Sequence, residues 1–192
     1  MKIIKNSLRK KKLAVRKTLS SAEIKSKSNR IKKLLFKLPE FKKAKTVMFY
    51  VSFGKEAATH SMIKEALHQK KKVVVPKIKS KRALAVYEIM NFNKDLQRGS
   101  FGILEPAHSK RRITPKTEID LAVVPGVCFD RKKGTRLGFG AGYYDRFLQG
   151  IKETTVLIGI AFERQLAKGV PCMVHDVNMH KIVTERRILE FS

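Results

Sequence analysis

The order of apolar and polar positions predicts a chain in which helices and strands alternate. A first helix covers residues 2–17, and a second opens with a capping box between Ser20 and Glu23 and stops before Pro39. After residue 45, apolar runs rich in β-branched residues predict strands, and segments that are apolar on one side predict helices between them. The expected strands are 46–51, 73–75, 84–88, 119–124, 155–161 and 182–184, and the expected later helices are 61–70 and 146–151.

Two of these strands, 119–124 and 155–161, are almost continuously apolar, which is typical of strands that are buried on both faces. Their alternation with helices indicates an α/β fold, with an open, mostly parallel sheet and helices on both faces. The strand at 73–75 is expected to end at Pro76. No repeat and no linker divides the sequence, so we expect residues 1–192 to form a single domain on which the basic helices within residues 1–38 pack.

Composition adds a strong positive charge to this picture. The 192 residues include 43 basic and 16 acidic side chains, so the net charge is +27 at neutral pH. Such a charge attracts phosphates, nucleic acid and other anions alike, and a solvated surface accounts for most of the lysines. The hydrophobic fraction of 43% argues against disorder, and no apolar run approaches the ~18 residues that a membrane helix needs.

The cysteine content indicates a reducing compartment. The two cysteines, Cys128 and Cys172, are too few for a disulfide framework or a four-thiolate zinc site. Reduced thiols are typical of the cytoplasm, which is therefore the expected location. The amino terminus lacks the apolar segment of a secretory signal, although the absence of acidic residues before Glu23 is also typical of an organelle transit peptide.

Two segments carry residues that suit phosphate chemistry. Lys5, Arg9, Lys12 and Arg16 recur at offsets of four, three and four, which lines them up along one face of the first helix. Such a row either binds phosphates or is a solvated helix surface, and the spacing alone favours the solvated surface. The second segment, 136–148, is rich in glycine and is the more informative of the two.

Within this second segment, Gly138, Gly140 and Gly142 occupy alternate positions, where glycine adopts conformations closed to other residues and lets an anion approach the backbone amides. A helix is expected to begin near Tyr143, with Asp145 in its first turn. That carboxylate either complements the helix dipole or holds Mg²⁺ against a phosphate. The pattern is neither a Walker A loop nor a dinucleotide fingerprint, so on its own it is equally typical of a turn without a ligand.

A longer set of motifs changes that balance. Residues 120–130 read Asp-Leu-Ala-Val-Val-Pro-Gly-Val-Cys-Phe-Asp, and residues 136–145 read Arg-Leu-Gly-Phe-Gly-Ala-Gly-Tyr-Tyr-Asp. In this combination the chain resembles the 5-formyltetrahydrofolate cyclo-ligases, also called methenyltetrahydrofolate synthetases. Further matches in the family's order extend the resemblance over essentially the whole chain, at residues 5–9, 50–59, 102–106 and 175–185. Because Lys5 and Arg9 belong to these motifs, a cleaved transit peptide is not expected.

The resemblance implies an enzyme that uses ATP and Mg²⁺ to convert 5-formyltetrahydrofolate into 5,10-methenyltetrahydrofolate, ADP and phosphate. The formyl carbon is a poor electrophile and its oxygen a poor leaving group, and transfer of the γ-phosphoryl group to that oxygen removes both difficulties. N10 then attacks, the ring closes and phosphate leaves. Positioning and charge neutralisation are the expected contributions of the protein. We expect a monomer with no specific nucleic-acid partner and no membrane partner.

The resemblance also assigns roles to residues at the matching positions. Arg136 and Tyr143 are the expected catalytic residues, Asp145 and Asp176 are the expected Mg²⁺ ligands, and Glu56 is expected to accept parallel hydrogen bonds from the pterin. ATP is expected to contact Lys5, Arg9, Arg136, Leu137, Gly138, Phe139, Gly140, Ala141, Gly142, Tyr143 and Tyr144. The folate is expected to contact Val51, Glu56, Phe139, Gly140, Ala141, Gly142 and Tyr143.

This chain departs from some members of the family in having Phe139 where they carry a basic residue. A phenylalanine ring does not bind a phosphate or a carboxylate tail, but it is able to stack on the substrate. A ring at this position therefore removes a charged contact and leaves an apolar one.

Two other functions compete with this interpretation. A basic RNA- or ribosome-associated protein on the same fold is supported by the charge alone, and it leaves the glycine-tyrosine-aspartate segment without a role. A relative that acts on another acyl or formyl anion would keep the fold but change the site. The motif set argues against such a change because its expected charged residues are all present: Lys5, Arg9, Glu56, Asp145 and Asp176.

Overall fold

Three helices open the chain, and strands with helices between several of them follow, so the predicted mixture of helices and strands is confirmed. The structure is a computed structural model that describes residues 1–80, 83–99, 102–107, 112–173 and 176–191. Its α-helices are α1 (Lys2–Lys17), α2 (Ser21–Leu35), α3 (Pro39–Lys43), α4 (His60–His68), α5 (Phe92–Asp95) and α6 (Tyr143–Leu148). Within the described ranges, no helix combines the length and the apolar character needed to cross a membrane. His175, which opens the last family motif, lies outside the described residues.

A seven-stranded sheet forms the centre of the molecule. The strands are β1 (Thr46–Phe49), β2 (Lys72–Ser80), β3 (Ala83–Ile89), β4 (Leu96–Arg98), β5 (Leu104–Pro106), β6 (Leu121–Val124), β7 (Cys128–Asp130), β8 (Arg136–Leu137), β9 (Val156–Ile160), β10 (Leu166–Ala167), β11 (Lys181–Val183) and β12 (Ile188–Glu190). The order in the large sheet is β12-β11-β9-β6-β1-β2-β3. Its five inner strands are parallel, and only β12 and β3, at the edges, pair antiparallel. The prediction of an open, mostly parallel sheet is confirmed.

Helices cover both faces of this sheet. On one face, α2, α3 and α4 bury Ile31, Phe41 and Met62 against β1, β2 and β6. On the other face, α6 contributes Phe147 and Leu148 to a second core. Both faces of β1 and β6 are therefore buried, which explains why their sequences are continuously apolar.

The predicted end of a strand at Pro76 is wrong, because β2 continues through this proline to Ser80. The parallel ladder between β1 and β2 ends at Val74, and beyond that point β2 pairs with β3 alone. A proline that lacks an N–H costs no ladder hydrogen bond where a strand has one free side. A second proline, Pro39, lies where the sequence predicts the end of the second helix. The helix α2 ends at Leu35, and Pro39 opens the short helix α3, at a position where proline is favoured.

The basic face of α1 packs against the protein, whereas Ile4 is 60% exposed. Lys12 donates to the carbonyl oxygens of Arg164 at 2.9 Å and Leu166 at 2.5 Å, and burial lowers the pKa of its amine. Arg16 is 7% exposed. The interpretation of this row of cations as a solvated surface is therefore wrong for the residues that face inward.

A small sheet, in the order β10-β7-β8, leads the chain into the glycine-rich segment. Asp130, at the end of β7, is 1% exposed and accepts hydrogen bonds from the backbone N–H groups of Lys132, Lys133 and Val170 at 2.7, 3.1 and 2.7 Å. This carboxylate fixes the turn that precedes β8 and therefore the position of Arg136, the first residue of β8.

We expect Asp130→Ala to lower the free energy of unfolding by about 3 kcal/mol, because three backbone donors, one of them buried, lose a charged acceptor. Denaturant unfolding followed by circular dichroism measures this change. Glu153→Ala, at an exposed carboxylate, is the matched control and is expected to change the stability by less than about 0.5 kcal/mol. An Asp130→Ala variant as stable as the unaltered protein would show that the turn does not depend on this side chain.

Candidate active site

A cavity of about 740 Å³ opens where β1 and β6 end, between α1, the glycine-rich segment and the β2–β3 hairpin. Ligands of open α/β sheets bind at the carboxyl ends of the parallel strands, so this is the expected place for a site. The structure brings every predicted site residue to the wall of this cavity: Lys5, Arg9, Val51, Glu56, Arg136, Leu137, Gly138, Phe139, Gly140, Ala141, Gly142, Tyr143, Tyr144, Asp145 and Asp176.

The glycine-rich segment takes a backbone path that requires glycine. Gly140 has φ +112° and Gly142 has φ +68°, both in a region that side chains disfavour. Arg9 of α1 donates from Nε to the carbonyl oxygen of Gly138 at 2.8 Å, and its guanidinium lies beside Gly140. The amino-terminal helix and the glycine-rich segment therefore form one wall of the cavity.

Arg136 is held rigidly at the base of this wall. It is 6% exposed, ion-paired through Nη2 with the carboxylate of Asp145, and donates from Nη1 to the carbonyl oxygen of Pro125 at 3.4 Å. Its guanidinium also lies 5.5 Å from the centre of the Tyr144 ring. A cation fixed by these contacts is preorganised for an anionic ligand in the cavity.

A second ion pair joins α1 to the carboxy-terminal loop. Lys5 Nζ lies 2.8 Å from Asp176 Oδ2, and the same oxygen accepts the backbone N–H of Met173 at 2.8 Å. Each predicted metal carboxylate thus lies beside a predicted phosphate cation, with Asp176 beside Lys5 and Asp145 beside Arg136.

This donor set fits Mg²⁺ that arrives with a triphosphate. Mg²⁺ prefers oxygen ligands and is commonly held by one or two carboxylates together with phosphate oxygens and water. Asp145 and Asp176 supply two carboxylates to the lining of the cavity. Within the described part of the chain, no group of three or more histidine, cysteine, aspartate or glutamate side chains is gathered into a metal cage.

Glu56 lines the cavity from the loop that follows β1. It is 6% exposed, accepts the backbone N–H of Phe53 at 3.2 Å and lies 3.8 Å from Nη1 of Arg16. Burial raises the pKa of Glu56 to about 7, although Arg16 and the Phe53 N–H act in the opposite direction. The group therefore titrates near neutral pH.

Hydrogen bonds stiffen the loop that carries Val51 and Glu56. The Tyr50 hydroxyl donates to the Ala57 carbonyl at 2.8 Å, and the Thr59 hydroxyl donates to the Tyr50 carbonyl at 2.7 Å. Burial, and secondly the charge of Glu56, raises the pKa of the Tyr50 and Tyr144 hydroxyls, so both stay protonated.

Several residues of the cavity wall have no assignment from the sequence. The β2–β3 hairpin contributes Lys77, Ile78 and Leu84, and these positions depend on the strand that runs through Pro76. Phe53 packs its ring 6.1 Å from that of Phe139. The motif at residues 102–106 is a signal for this part of the wall, because its residues 103–105 line the cavity.

Comparison with known proteins points to the family whose motifs line the cavity. The model of the 5-formyltetrahydrofolate cyclo-ligase family matches residues 2–185. The probable 5-formyltetrahydrofolate cyclo-ligase of Schizosaccharomyces pombe is 30% identical over 179 residues, which cover 86% of this chain and 87% of the relative.

Two solved structures are similar over nearly their whole length. The 5,10-methenyltetrahydrofolate synthetase of Aquifex aeolicus has a TM-score of 0.85 and 34% identity, covering 97% of this chain and 92% of that one. The 5,10-methenyltetrahydrofolate synthetase of Mycoplasma pneumoniae has a TM-score of 0.76 and 26% identity, covering 94% and 98%. The chain therefore belongs to the 5-formyltetrahydrofolate cyclo-ligase family.

Proposed function

We propose that the chain converts 5-formyltetrahydrofolate into 5,10-methenyltetrahydrofolate and couples this reaction to the conversion of ATP, with Mg²⁺, into ADP and phosphate. The observation that carries the proposal is that motif residues from distant parts of the sequence line one cavity of about 740 Å³. This volume is within the range of small-molecule sites. Cations and possible metal ligands lie towards α1 and the glycine-rich segment, and Glu56 lies towards the end of β1.

The nucleotide is assigned to the wall that α1 and the glycine-rich segment form. Lys5, Arg9 and Arg136 supply positive charge to the triphosphate, and residues 137–144 enclose it. Asp145 and Asp176 are the residues that would hold Mg²⁺. When bound, the ion would neutralise charge on the phosphates.

The folate is assigned to the part of the cavity that Val51, Glu56 and Phe139 line. The pterin offers two parallel N–H donors, which an ionised Glu56 accepts through both carboxylate oxygens. The ring of Phe139 is 49% exposed and is therefore available for stacking on the substrate. Val51, which follows β1, adds an apolar contact.

The reaction needs no nucleophile from the protein. The formyl oxygen forms a bond to the γ-phosphorus as the bond to ADP breaks, which turns that oxygen into part of a phosphate leaving group. N10 then bonds to the formyl carbon and gives up its proton, and phosphate departs with the original formyl oxygen. Arg136, Lys5 and the Tyr143 ring act by holding the reacting groups in place and by neutralising charge.

The state of the thiols agrees with this chemistry and with a cytoplasmic location. Cys128 and Cys172 are both free cysteines. Burial raises the pKa of the Cys128 thiol to about 11, so it is not an activated nucleophile. A reducing compartment such as the cytoplasm keeps such thiols reduced and free of disulfide bonds.

An absorbance assay for the methenyl product tests the proposed reaction. The purified protein is mixed with 5-formyltetrahydrofolate, with and without ATP, and with Mg²⁺ either present or removed by a chelator. We expect product only when ATP and Mg²⁺ are both present. A folded protein that binds ATP but forms no product would favour the relative that acts on a different formyl or acyl anion, and product without ATP would contradict the proposed mechanism.

We expect Asp176→Asn to raise the Mg²⁺ concentration needed for half-maximal activity by about tenfold or more, because one ligand charge is removed. Calorimetric titration with ATP at several Mg²⁺ concentrations gives the same quantity without turnover. Asp176 is preferable to Asp145 as a test, since loss of Asp145 leaves the buried Arg136 without its carboxylate. Glu153→Asn is the matched exposed control, and an unchanged Mg²⁺ requirement in Asp176→Asn would contradict the metal assignment.

A further inference from the structure

The last turn of α1 carries a buried arginine that none of the matching motifs assigns. Arg16 is 7% exposed and lies about two helical turns beyond Arg9 on the same face. Nη1 of Arg16 lies 3.8 Å from Oε1 of Glu56, which lines the cavity. The face of α1 that carries Arg9 therefore continues to Arg16 and its contact with Glu56.

The same guanidinium supports the exposed aromatic ring of the glycine-rich segment. The guanidinium carbon of Arg16 lies 5.5 Å from the centre of the Phe139 ring. The centre of the Phe53 ring lies 6.1 Å from the centre of the same Phe139 ring. A planar cation at this distance from an aromatic face is attractive, more so where water is excluded. Arg16 therefore joins α1, the loop after β1 and the glycine-rich segment at one point.

Glu56 needs such a partner because a buried carboxylate without a nearby cation loses its charge. Arg16 reaches it from α1, Tyr50 from the end of β1, Tyr144 from α6, and the Phe53 backbone N–H from its own loop. Both tyrosines stay protonated and neutral, so the positive charge acting on Glu56 in this group comes from Arg16.

We propose that Arg16 is a positioning residue for the folate substrate, which holds Glu56 ionised and in place and supports the Phe139 ring on which the substrate stacks. The inference rests on the proposed function, and it adds a residue that acts through Glu56 and Phe139 without touching the substrate. It separates α1 into a nucleotide part, with Lys5 and Arg9, and a folate part, with Arg16.

The expected pH effect follows from the groups around Glu56. Burial raises its pKa to about 7 and Arg16 lowers it, so removal of the guanidinium raises the pKa further. A higher pKa leaves well under half of Glu56 ionised at pH 7. Substrate binding that needs the carboxylate is then weaker at neutral pH and recovers at alkaline pH.

Arg16→Met tests this, with Arg16→Lys as the charge-retaining variant and Lys17→Met, at an exposed neighbour, as the control. For Arg16→Met we expect kcat/KM for 5-formyltetrahydrofolate to fall about fivefold or more at pH 7, through a raised KM, and to recover above about pH 8.5. The KM for ATP is expected to change less than about twofold. Arg16→Lys should keep the acidic limb of the pH profile near its original position, and Lys17→Met should change nothing.

The double variant Arg16→Met with Glu56→Gln covers the case in which Arg16→Met does not fold. It removes both members of the buried pair and leaves neither charge uncompensated. We expect its KM for folate to equal that of Glu56→Gln alone within about twofold, because Arg16 acts mainly through Glu56 and the Phe139 ring keeps its contact with Phe53. A much larger KM in the double variant would overturn the proposal, as would an Arg16→Met variant with an unchanged pH profile or with equal losses for folate and ATP.

Calorimetric titration with 5-formyltetrahydrofolate, without ATP, separates the failure of this proposal from the failure of the proposed function. A protein that binds the folate in the expected pH-dependent way but does not turn it over would contradict the reaction and support the role of Arg16. A protein that turns the folate over with Arg16→Met unaffected would support the reaction and overturn the role of Arg16. Absence of folate binding in the unaltered protein would overturn both.

Discussion

Arg136→Met is expected to lower kcat by about a thousandfold, because in the proposed mechanism it removes a fixed cation from the place where charge develops on the transferred phosphoryl group. The guanidinium is buried, paired with Asp145 and placed beside Tyr144. Water that enters the variant does not supply an equivalent positive charge at this position. Arg136→Lys is expected to recover only part of the loss, since an ammonium does not reproduce the planar, forked geometry. Steady-state kinetics at saturating ATP and folate measure the effect.

The matched control is Arg131→Met, at an exposed arginine on the turn that precedes β8. It removes the same charge from the adjoining turn and is expected to leave kcat within about twofold. Near-ultraviolet circular dichroism verifies that each variant keeps its tertiary packing. An Arg136→Met protein that is folded and retains kcat within about tenfold would show that this cation is not part of the catalytic arrangement.

Glu56→Gln is expected to raise the KM for 5-formyltetrahydrofolate by about a hundredfold and to change kcat much less. A carboxylate accepts from both pterin donors, whereas the amide presents an N–H group to one of them. In the unaltered protein, kcat/KM for the folate is expected to fall as the pH drops below about 7, because protonation of Glu56 removes the acceptor. That acidic limb should be absent in Glu56→Gln.

Glu153→Gln makes the same chemical change at an exposed position and serves as the control. The two variants are compared over a range of pH values, with the KM for ATP measured in parallel. A KM for folate that is unchanged in Glu56→Gln would assign the pterin to another part of the cavity. A raised KM for ATP in the same variant would place the nucleotide, and not the folate, beside Glu56.

The apolar pattern is sufficient to predict the inner sheet, because parallel strands buried on both faces leave an unambiguous signal. The runs at 119–124 and 155–161 contain β6 and β9, which lie next to each other in the sheet. The order of the strands is not visible in the sequence, since it depends on the contacts between elements. The short strands β8 and β10, each of two residues, carry no periodicity that could reveal them.

The candidate site is predictable where it coincides with motifs and not where it depends on packing. The glycine-rich segment and Glu56 are visible because their motifs are specific, and the structure brings them to the same cavity. The inward orientation of the basic face of α1 is not visible, because such a row of lysines and arginines is more typical of a solvated helix. The sequence therefore reveals Arg16 as a member of the row of cations on α1 but not as the partner of Glu56.

The most direct test of the proposed mechanism uses 5-formyltetrahydrofolate labelled with ¹⁸O in the formyl group. The labelled substrate is converted with ATP and Mg²⁺, and the inorganic phosphate is analysed by mass spectrometry. If the γ-phosphoryl group is transferred to the formyl oxygen, each phosphate formed carries one ¹⁸O from the substrate. Methenyl product accompanied by unlabelled phosphate would contradict the mechanism, because the formyl oxygen would then leave as water and ATP would be hydrolysed separately.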